Sequence, residues 1–94
     1  MTLVLSFPNG TVTVPDAVLS HIVRRAAEEV PGVKVRRRRT VDVDARTVRL
    51  AIDAQRGVPL AALGERVQEA VAAALSRMCG LELTAVDVAV EELA

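Results

Sequence analysis

Two apolar stripes of helical period are separated by runs of period two, and that switching confines the chain to mixed α and β structure. Val18, Leu19, Ile22, Val23, Ala26 and Val30 recur at helical spacing, with Arg24, Arg25, Glu28 and Glu29 on the other face. Pro15-Asp16 opens this stripe, since proline suits a first helical turn and an acidic side chain complements the helix dipole there. Glu29-Val30-Pro31-Gly32 closes it, because Pro31 disfavours helix at Val30 and Gly32 permits a reversal. The second stripe, Leu60, Leu63, Val67, Ala70, Val71, Ala74, Leu75 and Met78, begins after Gly57-Val58-Pro59 and stops at Gly80. Val41 and Val43, then Val48, Leu50 and Ile52, then Val86, Val88 and Val90 alternate with polar or small residues, as strands with one wet face do.

The N-terminus adds Leu3, Leu5 and Phe7 before Pro8-Asn9-Gly10, strong turn chemistry, and then Thr11 to Val14. Residues 1–9 read either as one extra strand of a hairpin or as a loose extension. The order β-α-β-β-α-β predicts an α+β two-layer sandwich, a mostly antiparallel sheet with two helices on one face. With 94 residues the chain makes one domain, 1–94. The matching periodicities place Val18, Ile22, Val48, Leu50, Ile52, Leu63, Val67, Val71, Leu75 and Val88 in one core.

That core is aliphatic, for the chain has one Phe and neither Trp nor Tyr. Aromatic stacking on single-stranded nucleic acid is thereby disfavoured. Cys79 stands alone, which excludes an intramolecular disulfide or a CxxC pair and fits a reducing compartment. No run approaches the roughly 18 apolar residues of a membrane span, and Met1 to Gly10 lacks the basic start of a signal peptide. The expectation is a cytoplasmic protein without a transmembrane segment.

Candidate chemistry is sparse. His21, the single histidine, sits one position off the first stripe with no nucleophile or orienting partner placed beside it by sequence. Cys79 precedes the helix-stopping Gly80 and reads as a small, partly buried residue. Asp42, Asp44 and Asp53 are interspersed with arginines, a pattern of surface ion pairs. Neither GxxxxGK[ST] nor GxGxxG occurs. No catalytic, cofactor-binding or metal-binding residue is expected.

Arg36-Arg37-Arg38-Arg39 remains to be explained. From Lys34 to Arg56 there are eight basic and three acidic side chains, a local charge of +5 within a chain of zero net charge. Val33, Val35, Val41 and Val43 share one parity, so an unbroken strand would turn Arg37 and Arg39 inward beside valines. Four unpaired charges are too costly to bury. The run is therefore a loop, a bulge or a strand extension in solvent. Arg36, Arg37, Arg38, Arg39 and Arg49 form the expected contact residues on the basic side, with Glu91 and Glu92 among their acidic counterparts.

Gly10 to Val33, GTVTVPDAVLSHIVRRAAEEVPGV, resembles the opening of the alkaline shock protein family of Gram-positive envelope stress proteins. VDVDARTVRLAID resembles that family's central hairpin, and Gly57 to Leu93 its second half, with Val67-Gln68 and Met78-Cys79-Gly80-Leu81 as specific parts. Where the family carries a longer insertion after Val-Pro-Gly-Val, this chain has Lys34 to Arg39. The resemblance implies a cytoplasmic, non-enzymatic protein of envelope stress and homeostasis. It would self-associate as a homo-oligomer or bind a protein partner, such as a membrane-anchor protein, at the inner face of the membrane. Peripheral attachment to anionic lipid is compatible with the basic run. The alternative is a small nucleic-acid-binding domain using Arg36–Arg39, although the absence of a GxxG loop and of stacking aromatics means no specific nucleic acid is expected.

Overall fold

The computed structural model describes residues 3–35, 42–44 and 46–92. The elements are β1 (Leu3–Phe7), β2 (Gly10–Val14), α1 (Asp16–Glu28), β3 (Val33–Val35), β4 (Asp42–Asp44), β5 (Thr47–Ala54), α2 (Leu60–Cys79) and β6 (Ala85–Glu92). The α+β class and the layering of both helices on one face of the main sheet follow the sequence expectation. Every even position of β5 from Val48 to Ala54 is buried against the helices, whereas the odd positions Thr47, Arg49, Ala51 and Asp53 are half-buried or exposed.

The main sheet has three rows. β6 pairs with β5 along its whole length and in parallel, from Thr47 opposite Ala85 to Ala54 opposite Glu92. β3 and β4 both pair antiparallel with β5, β3 along one half and β4 along the other. They occupy the same side of β5 in tandem, because β6 fills the other side. The first strand departs from the expected sandwich. β1 and β2 form a separate antiparallel hairpin, from Leu3 opposite Val14 to Phe7 opposite Gly10. β2 pairs with β1 and does not enter the main sheet, and β5 meets β6 directly. The longest pairing is therefore parallel, with α2 as the crossover that a parallel pair requires.

Turn residues fix the joints. Pro15 is extended, and its carbonyl accepts from the N–H groups of Val18 and Leu19 at 3.0 and 3.2 Å. Gly80 closes α2 in the left-handed region at φ 64°, which lets the Leu81 N–H reach back to the Leu75 carbonyl at 3.2 Å. The β4–β5 turn is tied to the approach to β6: the Thr84 N–H donates to the Arg46 carbonyl at 2.7 Å, and Arg46 Nε donates to the Glu82 carbonyl at 2.9 Å.

Val48, Leu50, Ile52, Leu63, Val67, Val71 and Leu75 are buried in one core with Leu19, Val23, Ala27 and Val43, as the periodicities require. Ile22 and Val88 are half-buried and pack against it. Three assignments need correction. Val18 is 45% exposed, Met78 is 63% exposed, and Leu60 is also exposed. The buried line of α1 runs Leu19, Val23, Ala26 and Ala27, and Val18 lies about 100° off Leu19 around the helix. Val41 lies outside the described residues.

Candidate interaction surface

Both helices lie on one face of the main sheet, and among the described residues no helix packs on the other. Its described positions are Lys34 on β3, Thr47, Arg49, Ala51 and Asp53 on β5, and Ala85, Asp87 and Ala89 on β6. Ala51 stands opposite Ala89, giving a shallow strip of small side chains. Arg49 stands opposite Asp87, and its Nε approaches the Asp87 carboxylate at 3.6 Å with both side chains largely in solvent. Such an exposed pair contributes little to stability but fixes two charges beside the alanines.

The run Arg36–Arg39 lies outside the described residues, and its ends are fixed by its neighbours. Val35 pairs with Ile52 and Asp42 with Arg49. Six residues therefore join β3 to β4, while only Leu50 and Ala51 separate the matching positions on β5. The chain carries an excess of four residues, and four is even, so Val33 and Val43 keep the same inward parity on either side.

Of the acidic counterparts, Glu91 stands opposite Asp53 and Glu92 opposite Ala54 at the end of β6. Others are already engaged within the chain. Asp87 pairs with Arg49, and the Glu82 carboxylate accepts from Ser76 Oγ at 2.7 Å. Gln68 Nε2 donates to the Val86 carbonyl at 2.9 Å, capping one backbone acceptor of β6.

The remaining candidates form no reactive constellation among the described residues. His21 is exposed and lines an open groove of about 310 Å³ between α1 and α2, with Arg25, Glu29, Arg77 and Met78. Cys79 is buried, and that burial pushes its thiol pKa up, away from the reactive thiolate. No three His, Cys, Asp or Glu side chains converge as a metal site among the described residues. No described helix is long and apolar enough to cross a membrane.

Sequence reasoning missed two features. The Ala51–Ala89 strip escaped because alanine carries little strand signal, although the polar parity of β5 marks its bare face. Phe7 and Val12 alternate as strand residues do, and nothing in the sequence shows that the hairpin leaves them exposed.

No family profile matches the chain, and no curated protein matches it. Solved structures do. One variant of MamM-CTD superposes with a TM-score of 0.57 at 20% identity, covering 85% of this chain and 100% of that one. A second gives 0.55 at 20% identity, with 83% and 98% covered. A copper form of a further MamM CTD variant gives 0.55 at 20% identity with the same shares. At this identity the likeness establishes the α+β fold.

Proposed function

We propose that this chain is a non-enzymatic protein-interaction module of envelope homeostasis, working by self-association and by docking a protein partner at the cytoplasmic side of the membrane. The bare face of the parallel pair β5·β6 carries this reading. Parallel strands are ordinarily covered on both faces. Here one face packs on the helices, and the other presents Ala51 and Ala89 beside the Arg49–Asp87 pair. A flat strip of small residues with fixed charges at its rim suits another protein surface, apolar at the centre and polar at the edge. The resemblance to alkaline shock proteins, from Val30-Pro31-Gly32-Val33 to Met78-Cys79-Gly80-Leu81, supplies the envelope setting and the membrane-anchor protein as the kind of partner.

The test is Ala89→Arg, an exposed position where a long side chain is tolerated by the fold and blocks the strip. Crosslinked capture from native cells is expected to retrieve one membrane-associated protein with the wild type and to lose it with the variant, at unchanged thermal midpoint. Equal capture by both would reject this face. A captured species that is RNA or DNA, lost in high salt and on replacement of Arg36–Arg39 by serine, would put the nucleic-acid reading in its place.

A further inference from the structure

The hairpin β1–β2 is the described part of the chain that stands clear of the body. Its register puts Leu3, Leu5, Phe7, Gly10, Val12 and Val14 on one side of the ribbon. That side is wholly apolar. Leu3 and Val14, nearest the body, pack against the core. Further out Phe7 is 55% exposed and Val12 49% exposed. Residues 1–14 contain no charged side chain, and the first in the chain is Asp16. An isolated two-stranded ribbon is marginal in water, so an apolar side held away from its own core calls for a cover.

The surface of the chain as a whole is larger than its mass requires. A monomeric protein of 10.0 kDa exposes about 5,200 Å² by the usual scaling of area with mass. This chain exposes 6107 Å², an excess of about 900 Å². The hairpin contributes to that surplus through Val4, Phe7 and Val12, and a stable interface takes about 800 Å² from each partner. The chain is also drawn out, with a radius of gyration of 13.8 Å against about 12.4 Å for a compact domain of its length.

We infer that the covering partner is a second copy of this chain, and that two hairpins pack apolar side to apolar side about a two-fold axis, Phe7 and Val12 of each against the same pair of the other. An uncharged apolar ribbon is self-complementary, which is what a two-fold interface demands of a single surface. A membrane surface would favour cationic side chains beside the apolar ones, and residues 1–14 have none. This rests on the interaction-module reading and assigns its self-association to a surface other than the sheet face.

Sedimentation of the full chain, from about 1 to about 100 μM, decides it. The wild type is expected to be a closed dimer. Phe7→Ser with Val12→Thr, both at exposed positions, is expected to weaken the dimer by about a hundredfold or more with an unchanged circular dichroism spectrum. Should that variant unfold, Val12→Cys in a Cys79→Ala background keeps the question open to measurement: mild oxidation should link two chains through position 12, with Ala89→Cys in the same background as the unlinked control. A monomeric wild type, an open-ended series of oligomers, or a dimer indifferent to the hairpin variants would overturn the proposal. None of these results bears on capture of a partner by the sheet face, which fails only if Ala89→Arg captures as the wild type does.

Discussion

Gly64 sits one turn into α2, where glycine costs helix stability without a conformational need. It has no positive φ, and a Cβ placed on it would meet only Val90 Cγ2 at 3.7 Å, an ordinary contact. Gly64→Ala should therefore stabilise the fold by roughly 0.5–1 kcal/mol. Thermal unfolding at fixed concentration should shift upward by about 3–6 °C; a downward shift would mean that α2 and β6 approach more closely than 3.7 Å allows. Cys79 gives a pH prediction at the same scale. Burial raises its pKa, so the unfolded chain loses the thiol proton first as pH rises. The buried neutral thiol contributes stability that is fully present below about pH 8.5 and is lost as pH climbs toward the folded value. Alkylation near pH 8 should be slow for the native chain and fast in denaturant, and equal rates would place the thiol at the surface. Residue-scale errors in the sequence reading share one cause. Periodicity gives the angle of a side chain around a helix but not the width of the neighbour it meets, so Val18 and Met78 fell inside the stripe and outside the core.

On either side of the arginine run, the sheet register keeps Val33 and Val43 in one parity. The excess between β3 and β4 is four residues, and so is the length of Arg36–Arg39. Removing those four would leave Thr40 opposite Ala51 and Val41 opposite Leu50, with Val33, Val35, Val41 and Val43 all on the core side. The deletion should fold with at least the stability of the wild type, its unfolding as cooperative. Deleting five residues instead, Arg36–Thr40, leaves one residue fewer than β5 spans, so one half of the strand slips to the wrong face, which should destabilise strongly. Chemical denaturation of the two deletions would check this, and equal midpoints would sink the register argument. The element list itself was largely legible: both helices begin at their prolines and end near their glycines, and the last strand follows the alternation of Val86, Val88 and Val90. The pairing of β5 with β6 was not. Nothing in the alternation of Val86, Val88 and Val90 states a strand direction, and Pro8-Asn9-Gly10 signals the β1–β2 hairpin but not its separation from the main sheet. The candidate contact residues were legible only as charge. Sequence placed Arg49 on the wet face but could not see that Asp87 stands opposite it.

For the whole molecule, the uneven charge and the uncharged hairpin point to two associations of different physics. From Lys34 to Arg56 the chain carries +5, so the remainder carries −5. Two of the acidic groups that a second copy would offer to the arginines, Glu82 and Asp87, are already engaged at home. The basic segment is therefore better suited to an acidic rim on the partner that docks on the sheet face, and self-association is left to the hairpin. Salt separates the two. Raising ionic strength from about 0.1 M to about 1 M shortens the screening length from about 10 Å to about 3 Å, which weakens contacts between exposed charges and leaves apolar burial intact or slightly strengthened. Sedimentation at the two salt concentrations should give the same dimer constant to within about threefold, while partner capture falls steeply. Replacing Arg36–Arg39 by serine should reproduce the loss of capture at low salt without altering the dimer or the thermal midpoint. A dimer that dissociates in salt, or on loss of the arginines, would assign self-association to the basic segment and its contacts with Glu91 and Glu92 of the other copy, and would leave the hairpin's apolar side to a different partner.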